Sequence, residues 1–446
     1  MTIVLVALAM VAIMAVAALS IDVVTLYLAD AEMQRSADTA ALAAARVLSI
    51  TGITGDPSNS TSNWQNACAL ASQVAIAVAR QNTVAGAQLA AGTQVKVTFP
   101  NNSDTTGCSG TTPVFGVNPL VTVQVQRTDL PTFFARIWGR RGASVSAKAT
   151  AEAFNPSNSF TYTNGGGTGS VTPVQPRCVK PWLIPNADPG QPGHAPFLNL
   201  DGTIAAGAQG IRLSGGTTGI VGDTFLLNAY CNTAGSSCTQ LGPPSAMTGG
   251  GITHYWPAQV SSSVAVPSCG TGSQYEEAVA GCDETEYQCG VKHANFTDLS
   301  ENPKNGDTSN GLECLINQNG GAGSDNLDTT SYPFKMTAGA DNLLAKAGSI
   351  NNGTQITNST SIVSLPIYDN TDPSLPTPPT MWPTSPVAVT VIGFLQVFVN
   401  NVNPGNQRIS VTVLNVAGCG NDTAVPVGNA VTGSSPVPVR LVQSFP

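Results

Sequence analysis

The stretch LSIDVVTLYLADAEMQRSADTAALAAARVL, residues 19–48, joins an uncharged apolar opening to a charged, Ala-rich pattern with no Gly or Pro between them. A cleaved leader needs no such continuity, whereas a membrane anchor that runs on as a rigid stalk does. Residues 2–21, TIVLVALAMVAIMAVAALSI, would reach about 30 Å as a helix, the thickness of a bilayer's hydrocarbon core. The competing reading is a secretory leader, for which AVAA at 15–18 offers an A-x-A-like cleavage site. Against it, the apolar run exceeds the usual leader core of about 7–15 residues, and no basic residue precedes Arg35. That missing charge also leaves the positive-inside rule nothing to count ahead of the span. A retained anchor is the expectation.

Past the apolar run, Leu26, Ala29, Met33, Ala37, Ala40, Ala44 and Val47 recur at steps of three or four, while Asp30, Glu32, Gln34, Arg35 and Asp38 mostly lie off that stripe. Ala has the best helix propensity, Glu32 and Arg35 stand at i, i+3, and nothing breaks a helix before Gly52. Residues 2 to about 48 therefore read as one helix roughly 70 Å long, half in lipid and half packed on a globular head through small side chains. Asp22, at the end of the apolar run, is expected to reach interfacial water by a small shift toward the headgroups. Asp22, Tyr27, Met33, Arg35 and Asp38 are the residues that carry this anchor-and-stalk reading.

The rest of the composition bounds the class. A chain of 446 residues can bury two or three cores, only 10% of it is charged, and 45 Gly and 31 Pro suit a loop-rich, extracytoplasmic β protein. With 18 basic against 26 acidic residues, the net charge of -8 excludes the electropositive surface that nucleic acid requires. Ten cysteines in polar, Gly-rich surroundings fit disulfides in an oxidising compartment. The absence of any C-x-x-C and the presence of just three histidines disfavour structural zinc.

After TGITGDPSNSTS, Ser62 or Asn63 can cap a second helix with Trp64, Cys68, Ala71, Ala75 and Val78 on one face. The period then changes to two around Val95, Val121 to Val125, and Val145 to Ala153, giving three half-buried strands. Between the last two, Asp129-Leu130-Pro131 reads as the start of a short helix carrying Phe133, Phe134, Ile137 and Trp138. Cys68 and Cys108 are the only cysteines in this head and are expected to bond to each other; the pairing of the other eight stays open.

The anchor, the IDVVTLYLADAEMQRSADTAALAAARVL continuation and the SVSAKATAEA strand resemble the Flp pilus-assembly TadE/TadG-like family of bacterial tight-adherence systems, over roughly the first 155 residues. That resemblance implies a non-enzymatic, membrane-tethered, pseudopilin-like or accessory component facing outside the cytoplasm, without a cofactor. Its partners would be the bilayer and other pilus-assembly or pilin subunits. The Gly-then-Glu cleavage signal of processed prepilins is absent, so the anchor is expected to stay. Larger relatives carry a metal site that begins Asp-x-Ser-x-Ser, and DPSNS at 56–60 fits that spelling. It stands in a loop between two helices rather than at the end of a buried strand, so it reads as a turn.

Residues 156–172 have linker composition, and their GGGTG lacks the Lys-Ser/Thr, strand and helix of a phosphate loop. From 173 the chain reads as irregular β, with a helical turn at 341–347 and late strands at 361–368, 387–399, 409–417 and 437–445. The segment 387–399 is apolar on both faces, as a central strand would be, and NNVNPGNQR suggests a hairpin to the next strand. CVKPWLIPNAD at 178–188 and YEEAVAGC at 275–282 bear a weaker likeness to the carboxy-terminal regions of some TadG-related proteins, and Trp182 reads as part of a packed strand edge. His194, His254 and His293 stand in loop-like contexts outside any catalytic motif. Glu276, Glu277, Asp283, Glu284 and Glu286 cluster near Cys282 and Cys289. They read as a solvated acidic loop, with a carbohydrate or calcium site of an anchored binding or hydrolytic module as the alternative. The expected fold is thus α+β: transmembrane helix and stalk at 1–50, pilin-like head at 51–155, linker at 156–172, and a disulfide-containing, mainly β domain at 173–446.

Overall fold

A computed structural model describes residues 2–56, 61–90, 92–99, 108, 118–130, 132, 134, 142–157, 174–176, 178–191, 193–200, 202–229, 251–260, 262–264, 266, 269, 272–284, 287, 292–293, 306–318, 323–372, 375, 388–405, 407–419, 431–433 and 435–442. Helix α1, Thr2–Ile50, is unbroken over 49 residues, or about 74 Å. Its second half buries the expected Ala-rich stripe, and α2, Thr61–Gln81, lies against it through Ala67, Ala71 and Ala75. Small side chains on both helices let the backbones approach, and Ser36 Oγ donates across to the Ala79 carbonyl at 3.1 Å. Helix α2 begins at Thr61, ahead of the expected cap, and Asn63 Nδ2 donates instead to Asp56 at 3.1 Å.

Three antiparallel strands back these helices: β1, Val95–Thr98; β2, Leu120–Leu130; and β3, Ala143–Ala153. Val121, Val123 and Val125 face the helices, and the alanines of β3 make room for α1 to lie on the sheet. The short helix expected from Asp129 needs correction at its start, because Asp129 and Leu130 complete β2. Val-rich alternation carries the strand through to Leu130, opposite Ala143 across a register shift. Most of the remainder of that expected helix, including Phe133, Ile137 and Trp138, falls outside the described residues.

The second unit is built on six strands: β4, Trp182–Pro185; β5, Thr224–Ala229; β6, Ile252–Pro257; β7, Ile362–Tyr368; β8, Val389–Asn403; and β9, Arg408–Gly418. Hydrogen bonding runs β8–β7–β4–β6–β5–β9, and β9 pairs again with β8, so the sheet closes into a barrel. The expected hairpin is β8–β9, paired from Gly393↔Gly418 to Asn403↔Arg408. Alternation is clear along β8: Leu395, Val397 and Val399 fill the barrel, while Phe394 packs outside with Trp256 and Tyr368, and Phe398 with Ile50 and Met336. Trp182 is fully buried in the interior rather than at an edge, because β4 has a parallel neighbour in β7 and an antiparallel one in β6.

Two helices that the sequence reading missed, α3 at Gln274–Ala280 and α4 at Asp307–Leu315, add Tyr275, Val279 and Leu312 to this core. Tyr275 Oη accepts from Trp182 Nε1 at 3.0 Å. A small sheet of residues 326–328, 335–337 and 355–356 flanks the end of α1, with α5, Leu343–Lys346, supplying the expected helical turn. His254 lies in β6 and His293 in a short pairing with Val389, so neither is in a loop.

The last strand, β10 at Val439–Val442, does not join the barrel; it pairs with β3 and makes the head sheet four-stranded. Arg440 holds it there, with Nε 2.8 Å from the buried Glu152 carboxylate and its guanidinium 4.7 Å from the Phe154 ring centroid. A polar seam then ties the units together. Asn415 Nδ2 donates to Ser49 O at 2.7 Å and to Thr54 Oγ1 at 2.9 Å, and Asn155 Nδ2 donates to Val416 O at 3.0 Å. Asn155 is buried in this seam, and so are residues 156 and 157, the first two of the expected linker; residues 158–172 lie outside the described residues.

Candidate functional site: the anchor helix and its stalk

Helix α1 presents two surfaces in succession. From Ile3 to Leu19 its large apolar side chains are bare, and the helix is long and apolar enough to cross a membrane. The hydroxyls within or near that segment are satisfied locally: Ser20 Oγ donates to Ala17 O at 2.7 Å and Thr25 Oγ1 to Asp22 O at 2.8 Å. From Ala29 onward one face is sealed against the head, beginning with Ala29, Met33, Ser36 and Ala37.

Asp22 marks the change of surface, but not by facing water. It is 3% exposed, and its Oδ2 accepts the Phe134 backbone N–H at 2.9 Å. The reason is rotational: 22, 26, 29 and 33 follow the same steps as the stalk stripe, so Asp22 starts the face that meets the head. The stripe read from Leu26 was one step short. Tyr27, 79% exposed, points away from the head. Met33 is fully buried, while Arg35 is exposed and Asp38 half-buried, and Gln34 Nε2 donates to Asp38 Oδ1 at 2.7 Å. Glu32 turns to the head and accepts the Ala85 N–H at 2.7 Å.

Cys68 and Cys108 are bonded to each other, pinning residue 108 to α2; Cys178–Cys282 and Cys269–Cys314 cross-link the barrel unit. In the acidic segment, Glu277 accepts from Ser263 Oγ at 2.9 Å, Asp283 is buried and accepts from Tyr287 Oη at 2.8 Å, and Glu284 accepts from Ser262. Glu276 stands in the first turn of α3, where its N–H donates to the Ser273 cap at 3.2 Å, while Glu286 lies outside the described residues. Among the described residues no three His, Cys, Asp or Glu side chains converge as a metal site. His254 is buried, and loss of solvent with Arg408 nearby pushes its imidazole down to about 4, so it is neutral at ordinary pH.

Two buried polar features of the barrel unit, and one apolar groove beside it, were not read from the sequence. Lys180 Nζ donates to the Val279 and Gly281 carbonyls at 2.7 and 2.6 Å, and burial pushes the amine down to about 7. Asp188, Asp223 and Arg212 meet between two loops, with Arg212 Nη1 2.5 Å from Asp223 Oδ1. An apolar groove beside the end of α1 is lined by Ile50, Leu70, Leu327, Phe334, Met336 and Ile356.

Against family models, residues 1–47 match the one described as "Putative Flp pilus-assembly TadE/G-like". The matched segment takes in the bare apolar half of α1 and its buried stalk as far as Val47. No curated protein and no solved structure matches the chain.

Proposed function

We propose that this chain is a non-enzymatic, membrane-anchored component of a bacterial Flp, or tight-adherence, pilus-assembly system, and that it holds its head and barrel outside the cytoplasm as a scaffold or interaction platform. The observation that carries this is the continuity of α1: one helix passes from a bare apolar surface to a buried stalk between Asp22 and Ala29, within the segment matched by the family model. A long helix laid on an antiparallel sheet by its second half, with its first half bare, supports a pilin-like reading of the head. Its partners are the bilayer and other subunits of the pilus machinery. The acidic side chains of 277, 283 and 284 are taken up in hydrogen bonds of the fold, so nothing favours the alternative of an anchored carbohydrate-binding or hydrolytic module.

The test uses the full chain in cells. Membrane fractions washed at high pH should retain it, deletion of residues 2–21 should release it, and cross-linkers placed on exposed stalk positions such as Arg35 should capture pilus-assembly proteins. A mature chain that starts near Ala18, or cross-links confined to polysaccharide enzymes, defeats the proposal.

A further inference from the structure

Two carboxyl groups face each other where the barrel receives the stalk. Asp188 opens the loop 188–195, where its N–H donates to Ala195 O at 2.8 Å and its Oδ1 accepts the Gly190 N–H at 2.8 Å. Asp223 closes the loop 210–223, with its N–H on Ile220 O and its carbonyl accepting the Val413 N–H, both at 2.9 Å. Asp188 is fully buried and Asp223 is 5% exposed. The two side chains are within hydrogen-bonding reach of each other, yet among the described residues Oδ2 of each has no donor. Gly190 permits this contact, since a Cβ there would stand 2.3 Å from Asp223 Oδ2.

Charge decides what fills the gap. Two carboxylates against the one guanidinium of Arg212 leave one surplus negative charge in a buried place, which is costly. One proton removes the surplus, whereas a divalent cation would overshoot it. We infer that Asp188 and Asp223 share a single proton, which locks loop 188–195 to loop 210–223 and thereby firms the seat of the stalk on the barrel. Loop 210–223 is that seat: the Gly210 N–H donates to Gly55 O at 3.2 Å, Val221 packs on the α-carbon of Gly52, and Gly222 N–H donates to Val413 O at 2.7 Å.

Burial pushes Asp188 up to about 6; the neighbouring Asp223 charge adds to this, while the Gly190 N–H and Arg212 oppose it. Asp223 is raised as well, again by burial. Of the other groups nearby, His194 lies on the same loop as Asp188, and strand β9 offers uncharged Val413. A carboxyl raised in the folded state favours folding as pH falls. The locking is lost as pH rises through about 6 and complete by the ordinary Asp value near 3.8.

Hydrogen exchange on the full chain in detergent micelles reads the lock directly. After correction for intrinsic rates, the amides of Arg212, Val221 and Gly222 should exchange about tenfold more slowly at about pH 5 than at about pH 7.5. Asp188→Asn supplies a permanent N–H donor to Asp223, so that variant should be protected equally at both values, and His194→Asn should keep the wild-type ratio. Equal wild-type protection at both pH values, a ratio that survives Asp188→Asn, or one that vanishes in His194→Asn overturns the inference. So does calcium at the higher pH, if it reproduces the acid protection. Should Asp188→Asn not fold, infrared titration of the unmodified protein decides: a protonated-carboxyl C=O band must disappear near pH 6, and its absence refutes the shared proton.

Discussion

The carboxylate of Asp22 and the backbone N–H of Phe134 meet at 2.9 Å, so the head reaches back to grip one face of α1 while Val23, Val24 and Leu28 are still bare on the others. Asp22→Ala leaves that N–H without its acceptor and should lower stability by about 1–3 kcal/mol, whereas Asp22→Asn keeps a carbonyl oxygen there and should lose less. Denaturant unfolding of the two variants in the same micelles checks the ranking. Equal losses would mean that the contact contributes nothing.

Below that grip, the stalk depends on small side chains. Ala40 is fully buried in the cluster shared by α1, α2 and the head sheet, with no room for extra methyl groups. Ala40→Leu should destabilise the head by about 1–3 kcal/mol or more through overpacking, yet leave membrane retention unchanged because residues 2–21 are intact. Loss of both properties together would show that the two halves of α1 are not separable in this way.

How much of this was written legibly in the chain depends on the range of the interactions. The stalk is readable because its contacts repeat every three or four residues; Asp22 reads as solvated rather than as the first residue of the stripe because a charge interrupts the stripe's apolar spelling. Helix α3 carried a readable signal, the S-x-x-E of Ser273 and Glu276, and Ser273 Oγ does accept the Glu276 N–H at 3.2 Å, but Gly-rich surroundings hid it. Barrel closure had no local signal, because β4–β7 and β5–β6 are parallel pairs between distant segments with no turn to announce them. The return of β10 to the head and the meeting of Asp188 with Asp223 are long-range in the same sense.

Reduction should act on the head through the Cys68–Cys108 bond, which spans a sequence separation of 40. Replacing both cysteines by Ala should cost about 2–4 kcal/mol and lower the thermal midpoint of the head. If this double variant melts like the parent under oxidising conditions, the cross-link is not a support of α2.

Lys180 provides a pH signature of opposite sign to that of the carboxyl pair. Its amine, pushed down to about 7 in the folded chain, returns to its ordinary 10.5 on unfolding, so above pH 7 the unfolded state binds a proton that the folded state does not. Stability should therefore rise between about pH 7 and pH 9 with a contribution of about 1.4 kcal/mol per unit. Lys180→Met should abolish that contribution while lowering overall stability, since the Val279 and Gly281 carbonyls lose their donor. A slope unchanged in Lys180→Met assigns it elsewhere.

Gly52 tests whether the stalk's end is pressed against the barrel. Its φ of +73° is left-handed, and a Cβ there would lie 2.4 Å from both Leu414 O and Val221 Cγ1. Gly86 has nearly the same backbone, φ +76°, with nothing within 4 Å. Gly86→Ala should therefore cost only the left-handed strain, about 1–2 kcal/mol. Gly52→Ala adds a clash with a strand carbonyl that cannot swing aside, and it should cost clearly more while accelerating exchange at Val221 and Gly222. The difference between the two variants isolates the steric term, because the backbone cost is common to both. Matching losses would place the barrel out of contact with Gly52, leaving the units joined by the seam of Asn415, Thr54 and Asn155, the Gly210–Gly55 hydrogen bond and the pairing of β10 with β3.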